Sequence, residues 1–164
     1  MAIILDIGLL ARREAQTLTP ADLCKMALCY AVAQALPTAT VFASAQAQGV
    51  AAPAVFVRFD KLQQRSLFGR LARISLTAEC RYLAVQAADD GENEAAMQAL
   101  LDASVQMAAA QTDFVSTGRV ARRTADGAIM TCEIRFDYDR DTVAWQAEGV
   151  MQTLILAAAA DEVF

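Results

Sequence analysis

The sequence predicts an α+β fold: a single domain with a mainly antiparallel sheet of about five strands and two helices packed on one face. Three observations carry this. Residues 73–83, RISLTAECRYL, alternate apolar and polar side chains, the pattern of a strand with one face in the core. Residues 19–37, TPADLCKMALCYAVAQALP, carry a helix start, an apolar stripe and a stop. Asp126-Gly127 separates two strand-like runs, a strong short-range hairpin signal. At 164 residues the chain suits one domain and can bury a sizeable core without staples.

Taken in order, residues 1–17 form an N-terminal extension with no assigned structure. The first helix follows, with Thr19 as N-cap, Pro20 at the first helical position and Asp22 at the third, where a carboxylate helps the amino end. Leu23, Met26, Ala27 and Tyr30 make its apolar face, and Pro37 stops it. TATVFAS reads as a short strand and AQAQGVAA as a loop. PAVFVRFDKL is a second strand, with Val55, Val57 and Phe59 pointing one way and Phe56, Arg58 and Asp60 the other. Pro53 opens it, where a missing N–H is tolerated. In the third strand Ile74, Leu76, Ala78, Cys80 and Tyr82 face the core.

AADDGENE is a polar break. The second helix covers residues 93–110, with Met97, Leu100, Leu101, Ser104 and Ala108 on one face and Glu92 and Glu94 at its amino end. Residues 113–139 form the hairpin, in which Ala128, Met130, Cys132, Ile134, Phe136 and Tyr138 share a face. The C-terminal segment 142–164 fits either a helical stripe through Ala147, Val150, Met151, Leu154, Ile155 and Ala158 or a further strand.

Composition narrows the function classes. The net charge is −5 and the pI about 4.7, without the basic footprint of a general nucleic-acid binder. The chain has no histidine, which removes the commonest general base, the Ser-His and Cys-His pairs and the commonest metal ligand. Cys24, Cys29, Cys80 and Cys132 form no C-x-x-C and read as small buried hydrophobes in a reducing compartment. The start, MAIILDIGLLARRE, lacks the basic n-region of a signal peptide, and LILAAAA is far shorter than a membrane span. These features read as a soluble cytoplasmic protein.

Few stretches suggest chemistry. DYDRDTVAWQAE, Asp137 to Glu148, has the D-x-D-x-D outline of a calcium loop with a glutamate twelfth. Its sixth residue is Thr142 where a glycine is needed, and a strand precedes it, so its aspartates read as a solvated strand face. Arg70 and Arg73, then Arg119, Arg122 and Arg123, form two basic clusters suited to solvated strand edges, or to contact with phosphate or acidic partner surfaces. Phe56, Val115 and Ile129 fall on the second sheet face, where apolar side chains mark an interface or a cover for the tail. No G-x-G-x-x-G, Walker loop or G-x-S-x-G occurs.

Several pieces recur in a set order: Gln48-Gly49 before Pro53, Phe56 and Val57; Leu67, Gly69, Arg70 and Arg73 leading into a strand that ends at Tyr82; the Asp126-Gly127 hairpin with Phe136 and Tyr138; and Met151, Gln152 and Leu154. In this order the chain, from about Asp22 to Leu154, resembles the phage tail terminator family of tailed-phage and prophage structural modules. The first sixteen residues have no counterpart in that pattern.

The resemblance implies a virion structural protein with no enzymatic activity, cofactor or metal. It implies a ring, commonly hexameric, that caps the tail tube and joins it to the head-side connector. The implied partners are other copies of the chain, the tail tube protein and a head–tail connector or neck protein. Genome DNA would pass through the lumen without specific binding, which an acidic lumen suits, and no membrane is involved. The implied location is the tail or neck of the virion, after assembly in the host cytoplasm. The candidate subunit-interface residues are Gln48, Gly49, Phe56, Arg70, Arg73, Arg119, Arg122, Arg123, Asp137 and Asp139. The alternatives are another neck or tail ring component, such as a head-closure or tube protein, and a small non-catalytic binding module.

Overall fold

The computed structural model describes residues 1–45, 48–109 and 112–140. Its elements are β1 (Ala2–Ile4), α1 (Ile7–Glu14), α2 (Pro20–Ala35), β2 (Thr40–Phe42), β3 (Ala54–Ser66), β4 (Leu71–Leu83), α3 (Asp90–Ala103), β5 (Gln106–Ala109), β6 (Thr112–Thr124) and β7 (Gly127–Asp139). The strands form one sheet in the order β1-β2-β3-β4-β7-β6-β5. β1 and β3 flank β2 in parallel, and every other pair is antiparallel. The α+β class holds. The expected five strands and two helices become seven strands and three helices among the described residues, and the sheet is mixed.

Two of the added elements occupy the extension at the amino end. Asp6 caps α1, its carboxylate accepting from the Leu9 N–H at 2.8 Å. β1 then pairs with β2 across a connection that contains both α1 and α2. The third addition, β5, replaces the expected last turns of the second helix. The helix stops at Ser104, and Gln106–Ala109 pair with Thr112–Val115 instead. Ala108 therefore lies in a strand, while Leu100 is fully buried and Met97 and Leu101 pack at the margin of the core.

α2 starts as its sequence requires. The Thr19 hydroxyl accepts from the Asp22 N–H at 3.2 Å, and the Asp22 carboxylate accepts from the Thr19 N–H at 2.9 Å, a reciprocal capping box. The same carboxylate takes two hydrogen bonds from the Arg12 guanidinium, at 2.8 and 2.7 Å, which ties α1 to the first turn of α2. Burial alone would raise the Asp22 pKa, but the bonds from Arg12 and Thr19 outweigh it and hold the carboxyl below its ordinary value. Leu23, Cys24, Met26, Leu28, Cys29 and Val32 are all buried, so α2 is enclosed on most sides rather than along one stripe.

The sheet presents its core face to α2 and α3. Val55 and Val57 of β3, Ala78 and Cys80 of β4, and Met130 and Cys132 of β7 join them in one cluster. All four cysteines are buried free thiols. Burial pushes the Cys29 thiol up to about 12 and that of Cys132 to about 11. Phe114 and Phe136 close the core with an edge-to-face contact, centroids 4.8 Å apart.

The hairpin turn differs by one residue from the sequence reading. Ala125 and Asp126 make the two-residue connection, and Gly127 opens β7 opposite Thr124. Asp126 anchors the turn by accepting from Arg81 and from the Thr124 hydroxyl. Gly127 is required for a different reason: a Cβ there would sit 2.0 Å from the Tyr82 carbonyl oxygen. At the start of α3, Asp89 is the N-cap. Glu92 reaches back, its carboxylate accepting from the Val85 and Gln86 N–H groups and the Tyr82 hydroxyl.

Candidate interaction surface

Among the described residues, the face of the sheet opposite α2 and α3 is open and strongly polar. Register places four short rows on it, each read across β3, β4 and β7: Arg58–Glu79–Thr131, Lys61–Thr77–Glu133, Gln63–Ser75–Arg135 and Arg65–Arg73–Asp137. A register shift between Phe59 and Lys61 keeps the polar side chains on this face past the middle of β3. Cross-strand ion pairs stitch it. Arg58 donates to Glu79 at 2.8 Å, and Arg81 pairs with Asp126 at 2.9 Å.

The far end of the sheet, around the β3–β4 turn, gathers four of the residues singled out in the sequence. Arg73 and Asp137 face each other in register and make a bidentate pair at 2.6 and 2.8 Å. The Arg73 bonds hold the Asp137 carboxyl below its ordinary pKa. Arg70 pairs with Asp139 at 3.4 Å. Asp137 and Asp139 thus lie on a strand and face arginines, as the reading of a solvated strand face expects; residues 141–148 of that stretch, like the 142–164 segment, lie outside the described residues. The turn uses Gly69 at φ 61°, a conformation that suits glycine. Arg140 donates to the Gly69 and Arg70 carbonyls and fixes the turn in place. Phe68 stands at its apex, 93% exposed.

The second basic cluster does not act as a unit. Arg122 is exposed in the register row of Ile129. Arg123, one residue on, points to the other side and reaches Asp90 and the Ala87 carbonyl at the start of α3. Arg119 sits in the irregularity between Thr117 and Val120 and donates to the Ser116 carbonyl at 3.3 Å.

Gln48 and Gly49 are exposed in the connection between β2 and β3. Because these two strands are parallel, the chain must return across the sheet before β3 can begin. The returning loop borders a cavity of about 540 Å³ whose other walls include Phe56, Arg58, Glu79 and Arg81. Phe56 is 2% exposed and stacks on Phe42 with centroids 5.2 Å apart. Its ring is therefore packed at the base of this loop, contrary to the sequence expectation of an exposed apolar side chain; Ile129, at 8%, is buried too, whereas Val115 is 53% exposed. The sequence reading missed Lys61 and Arg65 as members of the open face, because plain alternation puts them on the side of Phe59 and only the register shift after it brings them round; Arg135 falls where the alternation of β7 puts it. It also missed Arg140 and Phe68, whose placement depends on the turn.

Among the described residues no helix is long and apolar enough to cross a membrane, and no cluster of ligating side chains could hold a metal ion. The sequence pattern of the family described as phage tail terminator protein matches residues 25–145, well over half of the chain. The chain belongs to the phage tail terminator family. The match begins within α2 and covers every later element described. No curated protein matches the chain. Membership gives this terminator a structural role in a phage tail and makes it a component of the virion. The family is a structural one.

Proposed function

We propose that this terminator caps the tail tube as a ring of identical subunits, hexameric as is common in the family, and presents the ring to a head-side connector or neck protein. The observation that supports this most is the family match over residues 25–145, which takes in most of α2, all of α3 and six of the strands. The architecture suits the role. A capping subunit needs separate surfaces for its neighbours, the tube and the neck, and the chain offers an open polar face, a fixed turn carrying Phe68, and a helical side. The candidate residues at the turn end (Arg70, Arg73, Asp137 and Asp139) and the exposed Gln48–Gly49 loop are proposed contacts of the ring. Genome DNA passes through the lumen without specific binding in this reading, in keeping with the net charge of −5.

The test is to image tails assembled without this protein. Overlong tubes that fail to join heads are expected. Tails of normal length that join heads normally would overturn the proposal.

A further inference from the structure

We propose that the half of the open face nearest the β3–β4 turn receives a second copy of the chain, which lays the outer stripe of its α3 there. The inference rests on the ring reading above and names the surface through which neighbours meet.

Charge is segregated between two sides of the molecule. On the open face Lys61, Arg65 and Arg135 are exposed and make no ion pair among the described residues, and Arg73 is matched by Asp137. Glu133 is the lone uncompensated acid in these rows. The surface between them is concave: two adjoining hollows of about 500 and 470 Å³ share Gln63, Ser75 and Arg135 in their walls. The helical side is the reverse. α3 contains no basic residue, and Glu94, Gln98 and Asp102 recur every four residues along it, all exposed. Gln98 donates to Asp102 at 2.9 Å, which orders the stripe.

The dimensions agree. Glu94 to Asp102 spans about 12 Å at the helical rise of 1.5 Å per residue. Lys61 to Arg65 spans about 13 Å at the strand rise of 3.3 Å per residue. The two surfaces lie on opposite sides of one sheet, so they cannot meet within a chain. Joined between chains they form a head-to-tail contact, which repeats in one direction and closes into a ring when the rotation permits. The same charges oppose the wrong arrangements, since open face on open face and α3 on α3 both bring like charges together.

The experiment is sedimentation velocity on the full chain at low and high salt. The variants are Arg65→Glu with Arg135→Glu, Glu94→Arg with Asp102→Arg, and all four changes in one chain. All four positions are exposed, and circular dichroism checks that each variant folds. Either pair of reversals is expected to weaken self-association by at least about ten-fold at low salt, with the gap closing as salt screens it. The four-change variant, and an equal mixture of the two pair variants, are expected to associate again, because each reversed cleft then meets a reversed stripe. Self-association equal in the parent and both pair variants overturns this inference and leaves the ring reading standing. A parent chain that stays monomeric at every concentration, with and without tail tubes, overturns both. A parent chain that captures short duplex DNA through Arg65 and Arg135, and does not self-associate, also overturns the inference and assigns the hollows to phosphate.

Discussion

Asp22→Asn is expected to unfasten α1 from α2 while leaving most of the helix cap. The asparagine oxygen can still accept from the Thr19 N–H, but it cannot hold the Arg12 guanidinium as an ionised, two-pronged acceptor. Hydrogen bonds to charged groups contribute about 1.5–3 kcal/mol each when sheltered. The Arg12 side chain is 43% exposed and that of Asp22 10%, so solvent screens much of this. A net loss of about 1.5 kcal/mol follows, a fall in Tm of roughly 3–6 °C for a chain of this size. Asp22→Ala also removes the capping box and is expected to cost about 1 kcal/mol more. The pH dependence is fixed in sign. A carboxyl whose folded pKa is depressed adds stability above its unfolded value of about 3.9 and loses it as pH falls through the lower folded value. The gap between parent and Asp22→Asn should therefore be full at neutral pH and vanish in strong acid. Urea unfolding across pH, with an Arg12→Ala/Asp22→Asn double-mutant cycle, measures this. A gap that persists in strong acid, or a coupling near zero, would refute the reasoning.

Gly127→Ala should be among the most damaging single substitutions, by about 3 kcal/mol or more, because its Cβ meets backbone that cannot rotate away; thermal unfolding within 1 kcal/mol of the parent would contradict it. The four thiols should be silent to a thiol reagent in the native protein and all react in denaturant, since each is buried and burial raises the pKa of each. Fast labelling of the native chain would show that the cluster of α2, β4 and β7 is open.

The elements that announced themselves in sequence are those with local causes. Thr19-Pro20 with Asp22 starts a helix by its own hydrogen bonds, and the alternation of β4 and β7 follows from a sheet with one face in the core. The elements that did not are short and exist through partners. Gln106–Ala109 is composed of good helix formers and becomes a strand because β6 lies beside it. The Ser116 hydroxyl, which donates to the Ser104 carbonyl, helps to end the helix there. Ala2–Ile4 has no meaning as a strand until Thr40–Phe42 is placed next to it in parallel; the parallel pairing of Thr40–Phe42 with β3 on its other side depends equally on partners. Of the candidate surface, Arg70, Arg73, Asp137 and Asp139 could be named but not paired, because β4 and β7 are far apart in the chain and their register exists only in the assembled sheet. Phe56 lies on the side of the sheet that alternation assigns it, but its burial was not legible, because it depends on Phe42 and the return loop beside it.

The parallel pairing of β2 and β3 has a mechanical consequence. The loop it forces passes through the exposed Gln48 and Gly49 and lines, with Phe56, Arg58, Glu79 and Arg81, a cavity at one end of the open face. For a neighbouring chain seated on that face, as proposed above, the loop is a neighbour made of backbone and packed rings rather than of charge. Salt weakens charge pairs and leaves such a boundary in place.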